Sequence, residues 1–249
     1  MKRLKNKVAI VTGGGSGFGA GICQRFADEG AKVIVADLDA ARAVAVAEGC
    51  QDAVGCEADV SHERDVKEMI KTAVENFGGL DILVNNAGVP QRRGSMLDVD
   101  EETFDRIFAV NVKSIYLTAK HAVPELRKRG GGSIINTAST AGVRPKGGLT
   151  WYAGSKGAVI TITKAMAQEL ATDKIRVNAT SPIIADTGMT VEFMGGTESA
   201  AQREAWLNSV PLGRLCEPRD VADATLYLAS EDAAFISGVC LEVNGGRCV

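Results

Sequence analysis

Residues 8–22 read VAIVTGGGSGFGAGI. A short apolar run, Val8–Val11, enters a turn carrying Gly13, Gly15, Gly17 and Gly19 and leaves it as an amphipathic stretch. Side chains at the glycine positions would keep a pyrophosphate away from the N–H groups at a helix N-terminus, where the helix dipole favours an anion. A strand, a glycine turn and a helix in that order read as a dinucleotide-binding crossover rather than as a flexible turn.

The pattern continues outward from this unit. Strands are expected at Val8–Val11, Val33–Val35, Ala53–Cys56, Ile82–Val84, Ser133–Asn136, Ile175–Asn178 and Val239–Val243. Most are nearly continuous apolar runs, as strands buried on both faces of a parallel sheet should be. Helices are expected between them, at Gly17–Glu29, Ala40–Glu48, Glu63–Phe77, Glu101–Arg129, Tyr152–Thr172 and Pro218–Ala229. The alternation specifies an α/β fold, a Rossmann-type doubly wound parallel sheet flanked by helices. No linker or repeat divides residues 1–249, so one domain is expected. The stretch 186–208, with Gly188, Gly195 and Gly196, interrupts the alternation and reads as a substrate lid.

Asp37 closes the second strand in VIVADLD, close to the roughly 20-residue spacing after the glycines at which a carboxylate bonds the adenosine ribose. It would accept from a 2′-hydroxyl and repel a 2′-phosphate. No Lys or Arg follows it directly, and Arg42 reads as part of a solvated helix face, so NAD is expected over NADP. Asp37 could instead cap the next helix, but Asp39 can do that.

Composition excludes other classes. Hydrophobic residues are 45% and charged residues 24%, ordinary for a globular protein, and the net charge of −3 predicts no attraction to nucleic acid. No run approaches the ~20 apolar residues of a membrane span, and the apolar run after MKRLKNK is too short for a secretory signal. The six cysteines are scattered without CxxC spacing and apart from His62 and His121, so no metal site is expected. Reduced thiols and a cytoplasmic location fit this pattern.

Residues 150–158, TWYAGSKGA, place Tyr152 and Lys156 four apart, on one helix face, with small residues between. A free phenol has a pKa of ~10, and a proton shuttle works best near the operating pH. A cation at ~4 Å and an effective dielectric of ~20 supplies about 4 kcal/mol, the preference for phenolate that this requires. Lys156 is expected to be that cation and to bring Tyr152 toward neutral.

With these motifs the chain resembles the short-chain dehydrogenase/reductase family from about Lys7 to Gly246. TGxxxGxG is Thr12–Gly19, NNAG is Asn85–Gly88, VNVKS carries Asn111, INTAST carries Ser139, YxxxK is Tyr152 and Lys156, and RVNATSP ends at Pro182. Three positions depart from the family pattern. Phe18 replaces Ile or Leu, Ile183 replaces Gly, and Asn244 replaces an acid in VDGG. The resemblance implies that Tyr152 exchanges the substrate proton, Ser139 orients the same oxygen, Lys156 also holds the nicotinamide ribose, and Asn111 holds a water linking Lys156 to solvent. It implies cofactor contacts from Gly13, Ser16, Gly17, Phe18, Gly19, Asp37, Leu38, Asp59, Val60, Asn85, Asn86, Ala87, Gly88, Tyr152, Lys156, Pro182, Ile184 and Thr187. Asp59 and Val60 would lie near adenine, and Thr187 near the carboxamide.

The implied activity is NAD-dependent hydride transfer on a secondary alcohol or ketone. A 3-oxoacyl thioester reductase is the alternative, with Lys128 and Arg129 meeting an acidic carrier or simply serving a helix C-terminus. A dinucleotide sensor without turnover is a third possibility, disfavoured by the intact Asn111, Ser139, Tyr152 and Lys156 set. Substrate choice falls to VPQRRGSM, STAGVRPKGGLTW and 186–208, where Phe193, Met194 and Trp206 suggest a partly apolar wall. Arg92, Arg93, Arg144 and Lys146 could face an anionic substrate or simply be solvated. The resemblance also implies a homotetramer pairing the long helices, with Arg247, Cys248 and Val249 against a neighbouring subunit.

Overall fold

Seven strands lie in the order β3-β2-β1-β4-β5-β6-β7 in the computed structural model, which describes residues 2–185 and 200–249. They are β1 Val8–Thr12, β2 Lys32–Asp37, β3 Ala53–Glu57, β4 Ile82–Asn85, β5 Gly132–Thr137, β6 Ile175–Pro182 and β7 Cys240–Val243. Every neighbouring pair is parallel. The chain runs outward from β1 to β3, then returns to lay β4 on the other side of β1. The crevice opens at that reversal, beyond the carboxyl ends of β1 and β4.

Helices cover both faces: α1 Gly17–Asp28, α2 Ala40–Glu48, α3 Glu63–Phe77, α4 Glu101–Phe108, α5 Ser114–Lys128, α6 Thr140–Val143, α7 Thr150–Glu169, α8 Ala200–Leu207 and α9 Pro218–Ala229. Ala9 and Val11 of β1 pack with Ile22 and Phe26 of α1 and Val221 and Leu226 of α9. Val8 and Ile10 pack on the opposite face with Met69 of α3 and Leu117 and Leu126 of α5. This two-sided burial explains why the strand reads as an unbroken apolar run.

Several elements differ from expectation: the helix expected at Tyr152–Thr172 runs Thr150–Glu169, and α6 and α8 lie where no helix is expected. The helix read as continuous over 101–129 is broken by a π-helical segment, Ala109–Lys113, between α4 and α5. Such a turn takes one extra residue, which the 3.6-residue period of the flanking sequence does not reveal. Strand β6 continues past Asn178 to Pro182, because Ala179–Pro182 pair with Cys240–Val243 of β7. Ala, Thr and Ser in that stretch carry too little strand propensity to extend the reading. Within the expected lid, Ala200–Leu207 form α8; Gly188, Phe193, Met194, Gly195 and Gly196 lie outside the described residues.

Candidate active site

A cleft of about 1580 Å³ occupies the crevice. Its β1–β3 side begins at the glycine loop. Gly13 has φ +62°, a conformation that favours glycine, and a Cβ on Gly19 would run into the Gly13 carbonyl oxygen. Ser16 precedes α1 without a side-chain cap bond, so its side chain satisfies none of the helix's first-turn N–H groups. Asp37 presents its carboxylate here, with Oδ2 accepting from Gly15 N–H at 2.9 Å and Oδ1 from Asp39 N–H at 3.0 Å. Asp39 caps α2 by accepting from Arg42 N–H at 3.1 Å, so Asp37 is spared that task. A Cβ on Gly15 would stand 2.9 Å from Asp37 Oδ2 and 2.8 Å from Arg42 Cβ. Arg42 lines the cleft while staying largely solvent-exposed on its helix face, as expected, and its Nε pairs with Asp39 at 3.2 Å. A bare glycine turn, uncapped amides and an anchored carboxylate fit a dinucleotide.

Most of the expected cofactor residues meet in this cleft: Gly13, Ser16, Gly17, Phe18, Asp37, Leu38, Asp59, Val60, Asn86, Ala87, Gly88, Pro182 and Ile184. Gly19 is buried behind the loop, where its role is close packing against Gly13. Asn85 does not line the cleft. Its side chain donates to Asn136 at 2.9 Å and accepts from Thr118 at 2.9 Å, inside the protein. Thr187 lies outside the described residues. The departure at Ile183 puts a buried side chain in the cleft wall, and Phe18 also lines the cleft.

The reactive side chains come from the N-cap of α6, just past β5, and from α7. Ser139 is the N-cap of α6, its hydroxyl accepting from Ala141 N–H at 3.2 Å, and it also hydrogen-bonds the Tyr152 phenol. Tyr152 and Lys156 are buried, and the Lys156 Nζ stands 5.9 Å from the Tyr152 ring centroid. That ammonium donates to the Thr137 carbonyl at 2.8 Å. Burial pushes Tyr152 up to about 12, against the hydrogen bond from Ser139, and pushes Lys156 down to about 8. The expectation that Lys156 brings the phenol toward neutral is therefore not met by these two residues together. Desolvation disfavours phenolate and ammonium alike, and it is the largest cause at both residues.

Asn111 sits in the π turn, 2% exposed. Its Nδ2 donates to the Val89 carbonyl and to Ser155 Oγ, both at 3.1 Å, and its Oδ1 accepts from Val89 N–H at 2.8 Å. Ser155 donates in turn to the Tyr152 carbonyl at 2.7 Å. Both amide hydrogens of Asn111 are thus spent on protein groups, tying the loop after β4 to the helix of Tyr152. Gly88 lies alongside, where a Cβ would stand 3.2 Å from Asn111 Oδ1 and 3.4 Å from Lys156 Nζ.

Sequence reasoning missed several residues. Ser155, one of the small residues between Tyr152 and Lys156, links Asn111 to the Tyr152 carbonyl. Gln91 accepts from the N–H groups of Trp151 and Tyr152, and nothing local in the sequence signals this. Thr12 Oγ1 accepts from Asn86 and Ala87 N–H, both at 3.0 Å, which its place in TGxxxGxG could have suggested. Arg247 and Cys248 line the chain's own cleft. Asn244 turns the tail inward by accepting from Gly246 N–H at 2.9 Å. Arg93, Arg144 and Lys146 line the cleft and Arg92 does not. Among the described residues no helix is long and apolar enough to cross a membrane.

Residues 13–247 match the family model described as enoyl-(acyl carrier protein) reductase. The chain is 48% identical to the 4-formylbenzenesulfonate dehydrogenase of Comamonas testosteroni, over 98% of each chain. It is 38% identical to 2-(S)-hydroxypropyl-CoM dehydrogenase 3 of Xanthobacter autotrophicus, over 98% of this chain and 97% of that one. The crystal structure of 3-ketoacyl-(acyl-carrier-protein) reductase from Brucella melitensis, complexed with NADH, superposes with a TM-score of 0.92 at 42% identity, covering 99% of this chain and 100% of that one. With a full-length match in sequence and in fold, the chain belongs to the short-chain dehydrogenase/reductase family of oxidoreductases.

Proposed function

We propose that the protein is an NAD(H)-dependent enzyme interconverting a secondary alcohol and its ketone. The observation that carries this reading is the meeting of Ser139, Tyr152 and Lys156 on one wall of a cleft whose far end holds the anchored Asp37 carboxylate. Bound nicotinamide would supply or accept the hydride. In reduction, Ser139 and Tyr152 hydrogen-bond the carbonyl oxygen and Tyr152 gives it a proton. In oxidation, Tyr152 takes that proton from the hydroxyl. Lys156, anchored on the Thr137 carbonyl, keeps a positive charge beside the phenol at neutral pH. Asn111 and Ser155 hold the backbone of Tyr152 against the loop after β4. Asp37 favours NAD over NADP by repelling a 2′-phosphate. Binding of NADH by the Brucella reductase supports this choice.

The second reading, a 3-oxoacyl thioester reductase, is favoured by the likeness to that same reductase. The two residues considered for carrier docking are engaged elsewhere, Lys128 with Glu125 at 2.8 Å and Arg129 with Asp81 at 3.1 Å. An NADH-oxidation screen over ketones, with acetoacetyl thioesters alongside, tests both. Turnover confined to thioesters would select the second reading. NADH binding without turnover of any carbonyl would overturn the first.

The chain is further proposed to be one cytoplasmic domain with residues 186–208 as a lid, acting on a small alcohol or carbonyl compound without nucleic acid or membrane. A homotetramer is proposed through the faces of α5 and α7, where Tyr116 is 60% exposed. Light scattering should give about four times 26.1 kDa, and a mass near 26.1 kDa would overturn it.

A further inference from the structure

The cleft is electrostatically lopsided. Its β4–β7 side is lined by Arg93, Arg106, Arg144, Lys146 and Arg247, against Glu102 as the one carboxylate among the described residues there. Arg93, Arg144, Lys146 and Arg247 make no ion pair with any described carboxylate. Arg144 follows Ser139 at the end of α6, about 7 Å along a helix axis from it. Its Nη1 donates to the Arg247 carbonyl at 3.5 Å. Arg247 is itself held in place: its guanidinium lies 5.1 Å from the Trp206 ring centroid, and its Nη1 donates to the Ser209 carbonyl at 3.1 Å. The Cys248 thiol feels both cations, though less than it feels Glu242. Glu242 also acts on that thiol, but it is hydrogen-bonded to Asn244 and does not line the cleft. Each guanidinium has five N–H donors, and these bonds leave most of them for a ligand.

Resting on the alcohol–ketone reading above, we propose that Arg144 and Arg247 determine substrate class by gripping an oxyanion, a carboxylate or sulfonate, at the end of the substrate away from its reacting carbon. Two neighbouring guanidiniums that make no ion pair with a described carboxylate gain from an added anion, and a planar fork matches an oxyanion with paired hydrogen bonds. The apolar Trp206 and Leu149 suit the body of such a substrate.

The test uses the full-length enzyme with NADH and matched ketones: 4-acetylbenzoate and 4-acetylbenzenesulfonate against neutral 4-acetylbenzamide. The expected kcat/KM ratio of anion to amide is at least about tenfold in wild type. It should fall at least about fivefold in Arg144→Gln and in Arg247→Gln, and shrink in high salt. The two anions together show whether the site prefers carboxylate or sulfonate. A ratio within about twofold of one, or one that neither substitution changes, overturns the inference. A second readout is the quenching of enzyme-bound NADH fluorescence by the same three ketones. Selective quenching by the anions, lost in the variants, upholds the oxyanion site even if no ketone is reduced, in which case only the catalytic reading falls. Equal quenching by anion and amide overturns the site, while turnover of all three leaves the catalytic reading standing.

Discussion

Gln91 caps the helix of Tyr152 from the loop after β4: its Oε1 accepts the Tyr152 N–H at 3.0 Å and the Trp151 N–H at the same distance. Leu149, the residue before α7, has no side chain that can do this. Gln91 is 1% exposed, so no water can substitute for it freely. The start of the helix that carries the phenol is therefore held by a residue whose own position depends on β4.

Gln91→Leu should leave two buried amides without an acceptor and cost about 1–2 kcal/mol of stability. A shift of Tyr152 should lower kcat about 10-fold or more while NADH affinity changes little. Gln91→Glu keeps the acceptor and suits a helix N-terminus, so it should recover most of kcat. Equal kcat in wild type and Gln91→Leu would show that the cap does not position Tyr152.

Tyr152→Phe retains the ring and removes the exchangeable proton. Turnover should fall by several orders of magnitude with NADH binding intact, measured by fluorescence titration. In wild type, alcohol oxidation should rise with pH and ketone reduction should fall. Activity within a few-fold of wild type in Tyr152→Phe would remove the phenol from the mechanism.

Lys156 should leave a signature in stability. Burial holds its pKa at about 8 in the folded protein, against an ordinary value of 10.5. Between those values the unfolded chain binds more protons, so stability rises with pH across that window and is lost as pH falls through about 8. The full effect is roughly 3 kcal/mol. Tyr152 works in the opposite sense at higher pH: its pKa is raised from 10.0 to about 12, so its contribution is lost as pH climbs through that range. Urea unfolding from pH 7 to 10 should show the rise in wild type and a flatter profile in Lys156→Met. Parallel profiles would argue that Lys156 is not desolvated.

Asp37 should set the cofactor. Wild type should bind NAD at least about 10-fold more tightly than NADP, and Asp37→Ala should narrow the gap by relieving repulsion and leaving Arg42 beside the glycine loop. Equal affinities in wild type, by fluorescence titration, would contradict the reading.

Much of this was legible in sequence because it is local. Apolar runs with β-branched residues specified the strands, the glycine turn specified the first crossover, and Pro218–Ala229 could be bounded to the residue. Asp37 and Asp39 could be given separate tasks from their spacing alone. The tertiary structure decided what depends on packing between distant segments. The π turn at Ala109–Lys113 is set by the backbone bonding of one segment, and what Asn111 does there depends on Val89 and Ser155, which come from distant parts of the chain. Asn85 and Gly88 belong to one short motif, yet the register of β4 sends the Asn85 side chain into the interior and leaves Gly88 at the cleft. The direction in which burial moves Tyr152 and Lys156 could not follow from their four-residue spacing, because desolvation depends on everything packed around them. The same holds for Gln91 and Arg247, which reach the site from a loop and a tail: sequence records their chemistry, and only the folded chain assigns their neighbours.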